Sequence, residues 1–223
     1  MLPKKRRSGY LAQKKLFLVV SEGRNSEPEY FGKILGAFVS EWAYVKCLPG
    51  QKGTSPDKLV GRLAGYRGTI CDTDELWAVA DRDQWTESQW KTLFNWMHQA
   101  PENPHRGVVI SSPLFEVWLL LHFQTEVPQG TGAITRALKQ HLPDFSKKEG
   151  ALVACSAAFT LEAIQSAIDR ARATCPTGHP DFGTNSTNAW VLVKRILDSA
   201  YSPFPPVSPS SPESASKPRQ PEP

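Results

Sequence analysis

Leu16-Phe17-Leu18-Val19-Val20-Ser21-Glu22-Gly23 decides the fold. A run of aliphatic, β-branched and aromatic residues ends on a polar, glycine-marked turn, which is the pattern of a short strand. Ser26-Glu27-Pro28-Glu29 follows at once and reads as a capping box with proline in the first turn. Tyr30, Phe31, Ile34 and Leu35 then continue at helical spacing. A strand feeding a helix is the first half of a βαβ unit.

The alternation repeats down the chain. Residues 42–48 form a second strand candidate, Pro49-Gly50-Gln51-Lys52-Gly53 a loop, and Ser55-Pro56 opens a helix to about Arg67. Residues 76–80 form a third strand that ends in Asp81-Arg82-Asp83. Thr86-Glu87-Ser88-Gln89 then caps a helix carrying Trp90, Leu93, Phe94 and Met97. Residues 107–111 are a fourth strand, and Ser112-Pro113 starts a strongly apolar helix over 114–123. Four strands separated by helices, without two-residue hairpin turns, predict crossovers and a mostly parallel sheet. Beyond Gln124 the β signal fades. Helices are predicted over 133–141, 157–173 and 187–199, a helical appendage packed on the sheet.

The 223 residues suit one α/β domain with a tail, and 40% apolar with 10% aromatic content excludes wholesale disorder. No uninterrupted apolar stretch exceeds five residues, far short of a bilayer span. The net charge of +4 is unevenly spread. Lys4, Lys5, Arg6, Arg7, Lys14 and Lys15 contribute +6, the segment 202–223 is neutral, and residues 16–201 carry −2. The expected organisation is a basic flexible arm (1–15), an α/β core (16–124), a helical part packed on it (125–201) and a disordered tail (202–223). That tail holds eight prolines among its serines. Such an arm can engage phosphates without reading sequence, and its other reading is a solvated terminus. Pro3-Lys4-Lys5-Arg6-Arg7 also matches a nuclear-import patch, a pattern too short to set a compartment. Cys47, Cys71, Cys155 and Cys175 are widely spaced, no secretory signal precedes them, and no histidine pairs with them at zinc-ligand spacing. They read as reduced core residues of a cytoplasmic protein.

Two Asp-x-Asp pairs stand out, and their positions separate them. Asp72/Asp74 precede the third strand, whereas Asp81/Asp83 follow it, as Glu22 follows the first. Ligands of open α/β sheets bind outside the carboxyl ends of strands. Residues two apart on extended backbone point the same way, so Asp81 and Asp83 can face one point. If the first and third strands are neighbours, Glu22 reaches it too. Three ionised carboxylates within ~5 Å repel by roughly 3 kcal/mol per pair at an effective dielectric of 20. Such a cluster needs protons, basic partners or a divalent cation, and oxygen donors without Cys or His favour Mg²⁺ or Mn²⁺. The bland reading is acids solvated at strand ends or capping helices. Glu116 lies in a helix apolar on nearly every side, where a carboxylate must be paired, protonated or metal-bound. Arg24 and Arg106 are its candidate partners, while His122 reads as a hydrogen-bonded core histidine. Glu27 and Glu29 also suit a first helical turn through the helix dipole.

These stretches together resemble a known family. Residues 16–23 with Ser26-Glu27-Pro28-Glu29-Tyr30-Phe31 resemble the opening of the RloB-like branch of Toprim domains, and Asp81-Arg82-Asp83 resembles the Toprim aspartate pair. Ser111-Ser112-Pro113-Leu114-Phe115-Glu116-Val117-Trp118-Leu119-Leu120-Leu121-His122-Phe123 is similar to the most distinctive RloB segment. Asn185-Ser186-Thr187-Asn188 is similar to the closing one, with serine where the family has proline. Phe145-Ser146-Lys147-Lys148 resembles the family's Tyr-x-Lys segment, with phenylalanine for tyrosine. The likeness spans roughly residues 14–200.

The resemblance implies a Toprim-like fold, a four-stranded mostly parallel sheet between helices. It also implies Mg²⁺-dependent phosphodiester chemistry at Glu22, Asp81 and Asp83. Glu27 or Glu116 would supply a further acid and Lys147 or Lys148 a lysine. It further implies a role in bacterial anti-phage defence or abortive infection, beside an AAA/ABC-type ATPase. The expected activity is a metal-dependent nuclease acting on RNA or DNA, with Lys4, Lys5, Arg6, Arg7, Lys14 and Lys15 contacting nucleic acid, no membrane association, and oligomerisation left open. The competing expectation is a non-catalytic nucleic-acid-binding or sensing subunit of an ATPase-containing complex.

Overall fold

In this computed structural model, residues 14–51, 54–82, 85–99, 104–179 and 185–200 are described. Lys4, Lys5, Arg6, Arg7, Asp83 and the 202–223 tail lie outside the described residues. A five-stranded sheet forms the centre, in the order β2-β1-β3-β4-β5. Its strands are β1 (Lys15–Ser21), β2 (Ala43–Leu48), β3 (Glu75–Asp81), β4 (His105–Ser112) and β5 (Ser186–Thr187). The first four are mutually parallel, and β5 runs antiparallel to β4. The expected four-stranded sheet is thus extended by one short strand. A two-residue strand has no periodicity to read. It is fixed instead by Asn188, whose side chain accepts from Ile110 N–H at 2.7 Å and donates to Val108 O at 2.9 Å, imitating a ladder residue on β4.

Both faces of the sheet are covered, as a parallel sheet requires. On one face Phe17, Val19, Trp77, Val79 and Val109 pack with helices from both the 16–124 and the 125–201 stretches, so the two share one core. On the other, Leu18, Val20, Ala78, Ala80 and Ile110 meet α2 (Pro56–Ala64) and α3 (Glu87–His98). The first face carries α1, which runs through Ser26–Pro28, a π-helical stretch Glu29–Leu35 and Gly36–Phe38, and α4 (Glu116–Leu120). It also carries α5 (Thr131–His141), α6 (Ala151–Ala154), α7 (Leu161–Thr174) and α8 (Ala189–Asp198). From β1 the chain crosses to β2 on one side over α1, then to β3 on the other side by way of α2. The strand order therefore reverses between β1 and β3, the switch point at which α/β sheets open a crevice.

Three local expectations give way. The helix over 114–123 is α-helical only at Glu116–Leu120. The capping box at Ser26 does not form: Asn25 is the N-cap, and the Glu29 carboxylate turns away to the backbone N–H groups of Gly150, Leu152 and Val153. Those donors open α6, a helix that periodicity did not announce. The last helix begins at Ala189 because Ser186 and Thr187 are spent on β5. By contrast, the box at Thr86 forms, its N–H donating to Gln89 Oε1 at 2.9 Å.

Candidate functional site

β1 and β3 deliver their terminal acids to one edge. Pairing continues past both strands, with Glu22 N–H donating to Val79 O and Arg82 N–H to Ser111 O, each at 2.9 Å. The backbone N–H of Asp81 donates to Glu22 Oε2 at 3.3 Å, and Trp85 Nε1 donates to the same oxygen at 3.2 Å. Glycines permit the close passage. Gly50 N–H donates to Gly23 O at 2.8 Å. A Cβ on Gly50 would lie 1.6 Å from Glu22 O, and one on Gly23 would lie 1.9 Å from Glu27 Oε2.

Three further elements complete the arrangement. The first turn of α1 places Glu27, whose Oε1 accepts from Gly23 N–H at 3.1 Å. The start of α4 supplies Glu116, 1% exposed. The loop before α6 brings Lys147, its Nζ 2.8 Å from Glu116 Oε1. That loop is fastened at three points: Phe145 is buried in the core, Asn25 Nδ2 donates to Lys147 O at 2.8 Å, and Glu29 caps α6. Glu22, Glu27, Asp81, Glu116 and Lys147 line one cleft of about 370 Å³, together with Arg24 and Gln51. A larger groove of about 760 Å³, against α7 and α8, contains none of them.

The cleft is short of positive charge. Burial, reinforced by Glu116, pushes the Glu27 carboxyl up to about 7. Burial, then Glu27, Glu116 and Glu22, holds the Asp81 carboxyl well above its usual range. Burial works against the Lys147 ammonium, but Glu116, Asp81 and Glu27 outweigh it and keep the lysine above its ordinary value. Among the described residues no three donors already surround a single cation position.

Other candidates sit elsewhere. Lys15 Nζ is 2.6 Å from Glu75, which also takes a two-pronged contact from Arg195 at 2.8 and 2.9 Å. Lys14 reaches Ser40 O. Both lysines stand at the amino end of β1, roughly 25 Å from Glu22 at ~3.3 Å per residue, so the structure does not bring them to the cleft. Asp74 accepts from the N–H groups of Leu16 and Cys71 at 2.8 and 2.7 Å, a role in holding the strand edge. Arg106 donates to Trp96 O at 3.1 Å and is no partner of Glu116. His122 is buried, as read: its Nδ1 faces Trp118 O at 3.0 Å and its Nε2 accepts from Tyr30 Oη at 2.9 Å. Burial first of all lowers its pKa to about 4. Sequence reasoning passed over Asn25, Trp85 and Gly50. Only the glycine left a signal, a small residue in the turn after β2 beside the turn after β1.

An α/β protein with a carboxylate cleft at the switch point of its sheet is the class that fold and site define. The family model for RloB-like proteins matches residues 17–196, about four-fifths of the chain, and the protein belongs to that family. Comparison with curated proteins and with solved structures gave no match. Among the described residues no helix is long and apolar enough to cross a membrane.

Proposed function

We propose that this RloB-like protein is a Toprim-type nuclease that hydrolyses phosphodiester bonds of RNA or DNA with Mg²⁺ or Mn²⁺, in anti-phage defence and with a partner ATPase. The observation that carries this reading is the meeting of Glu22, Glu27, Asp81 and Glu116 with Lys147 in one cleft. The residues fit a hard divalent cation. Burying several carboxylates demands protons, bases or a metal ion. Lys147 pairs with Glu116, while the raised Glu27 and Asp81 mark a demand still unmet. All the donors are oxygens, as Mg²⁺ and Mn²⁺ prefer. Glu22, Asp81 and Glu27 would hold the ion, with Asp83, outside the described residues, as a further ligand. Bound there, it would acidify a water and stabilise charge on the scissile phosphate.

The chain's own groups do the rest. Lys147 offsets negative charge building on the phosphoryl oxygens. Glu116 aims Lys147, and Asn25 fixes the loop that carries it. Glu27, fixed by the Gly23 N–H at 3.1 Å, would complete the ligand set or orient the attacking water.

The test is incubation with mixed DNA and RNA oligonucleotides in Mg²⁺ or Mn²⁺, with and without the ATPase. Cleavage should require the metal and fall by on the order of a hundredfold or more in Asp81→Ala with its circular dichroism unchanged. Equal cleavage in EDTA contradicts the reading. A cleft that takes up the cation yet cuts nothing assigns the chain to the other class, a sensing or binding subunit.

A further inference from the structure

The groove of about 760 Å³ against α7 and α8 is apolar where the carboxylate cleft is acidic. Val39 and Ile168, both buried, form its floor. Phe38 and Trp42 from the end of α1 and the turn after it, with Leu161 from the start of α7, line its sides. Each is at least 40% exposed, and they are three of the four large hydrophobic side chains that the described residues leave to solvent. Such a patch on one face of a protein marks a surface that something covers.

The path of the chain says what that is. Ala200, where the described residues stop, itself lines the groove, and twenty-three residues follow it. The first of them read Tyr201-Ser202-Pro203-Phe204-Pro205-Pro206-Val207. In the polyproline II form that this density of prolines favours, three residues make one turn, so Tyr201, Phe204 and Val207 fall on one ridge about 19 Å long. The stretch of α7 that lines the groove, Leu161 to Arg172, spans about 17 Å at 1.5 Å per residue. Proline-rich ridges are recognised by grooves walled with aromatic side chains. Residues 201–207 carry no charge. The groove carries Glu162, Asp169 and Asp198 against Arg172 and Lys194, a balance that suits a neutral segment and disfavours a polyanion. Attachment at the groove's own edge presents the segment at an effective concentration in the millimolar range, which favours it over a second copy of the chain.

We propose that residues 201–207 dock in this groove as a polyproline II strap, with Tyr201, Phe204 and Val207 against Phe38, Trp42 and Leu161. The docking is independent of the chemistry in the carboxylate cleft. The test puts a photoreactive benzophenone into the full chain, Phe204→p-benzoylphenylalanine, and maps the cross-links by mass spectrometry after irradiation.

Most products should join residue 204 to the 38–42 and 161–172 segments of the same chain. Leu161→Glu, at an exposed position in the first turn of α7, should lower that yield severalfold with the melting curve unchanged. Tyr201→Ser combined with Val207→Ser, which alters no described residue, should lower it likewise. Products joining two chains, traced in a mixture of isotopically labelled and unlabelled protein, would assign the groove to a second copy and overturn the inference. Products on other surfaces, no products, or a yield that neither the groove nor the tail substitutions change would overturn it as well.

Discussion

Asp81 and Glu27 are held in surroundings that resist their ionisation, by burial first and by neighbouring carboxylates second. The sign of the effect on stability follows. A carboxyl raised from 4.5 to about 7 keeps a proton in the folded state that the unfolded chain has lost. Metal-free stability from Glu27 therefore falls as pH climbs from about 4.5 to about 7, and is level above. His122 acts in the opposite sense, since its lowered pKa removes stability as pH drops from 6.5 toward 4. Comparing Glu27→Gln with wild type cancels the histidine. In EDTA the variant should become progressively more stable than wild type across pH 4.5–7, with a constant advantage beyond; thermal melting against pH checks it. The lysines make the second residue-scale prediction. Lys147 pairs with Glu116, whereas Lys148 is exposed and does not line the cleft. Lys147→Ala should abolish most cleavage and Lys148→Ala should leave it near wild type, read as kcat in single-turnover assays. The two residues are indistinguishable in the sequence, because the choice is made by Asn25 and Glu29, more than a hundred positions away.

Strands were the most legible elements. β1 to β4 begin and end within two residues of the apolar runs that announced them, because a strand covered on both faces must be apolar throughout. Glu22 and Asp81 were legible for the same reason: each is the first acid after such a run. Helix termini were less so, since their partners are distant in sequence. Glu29 had a complete local role available as part of a capping box and is used instead to anchor the loop that carries Lys147. The turns after β1 and β2 form a unit that no local pattern reveals. Gly50→Ala would drive a methyl group into Glu22 O. It should cost roughly 1–3 kcal/mol and displace Glu22. The measurement is urea unfolding, together with a weaker response to Mn²⁺ in the fraction that remains folded.

Across the whole molecule the two ends of the sheet do different work. At the amino edge Glu75 gathers Lys15, Arg195 and Trp77 Nε1, so the start of β1, the start of β3 and α8 are clamped by a satisfied, part-buried ion cluster. At the carboxyl edge the carboxylates outnumber their cations. The first arrangement is what a protein uses for stability, the second what it keeps for a ligand. The proposed divalent cation is held at this second edge through Glu22 and Asp81. Melting of the full chain in EDTA and in saturating Mn²⁺, beside Glu22→Gln and Asp81→Asn, tests it most directly. Binding at about a hundred times Kd adds ~2.7 kcal/mol, so the wild-type Tm should rise by about 5–10 °C, while neither variant should respond. An unchanged wild-type Tm, or the same rise in all three proteins, would contradict the account.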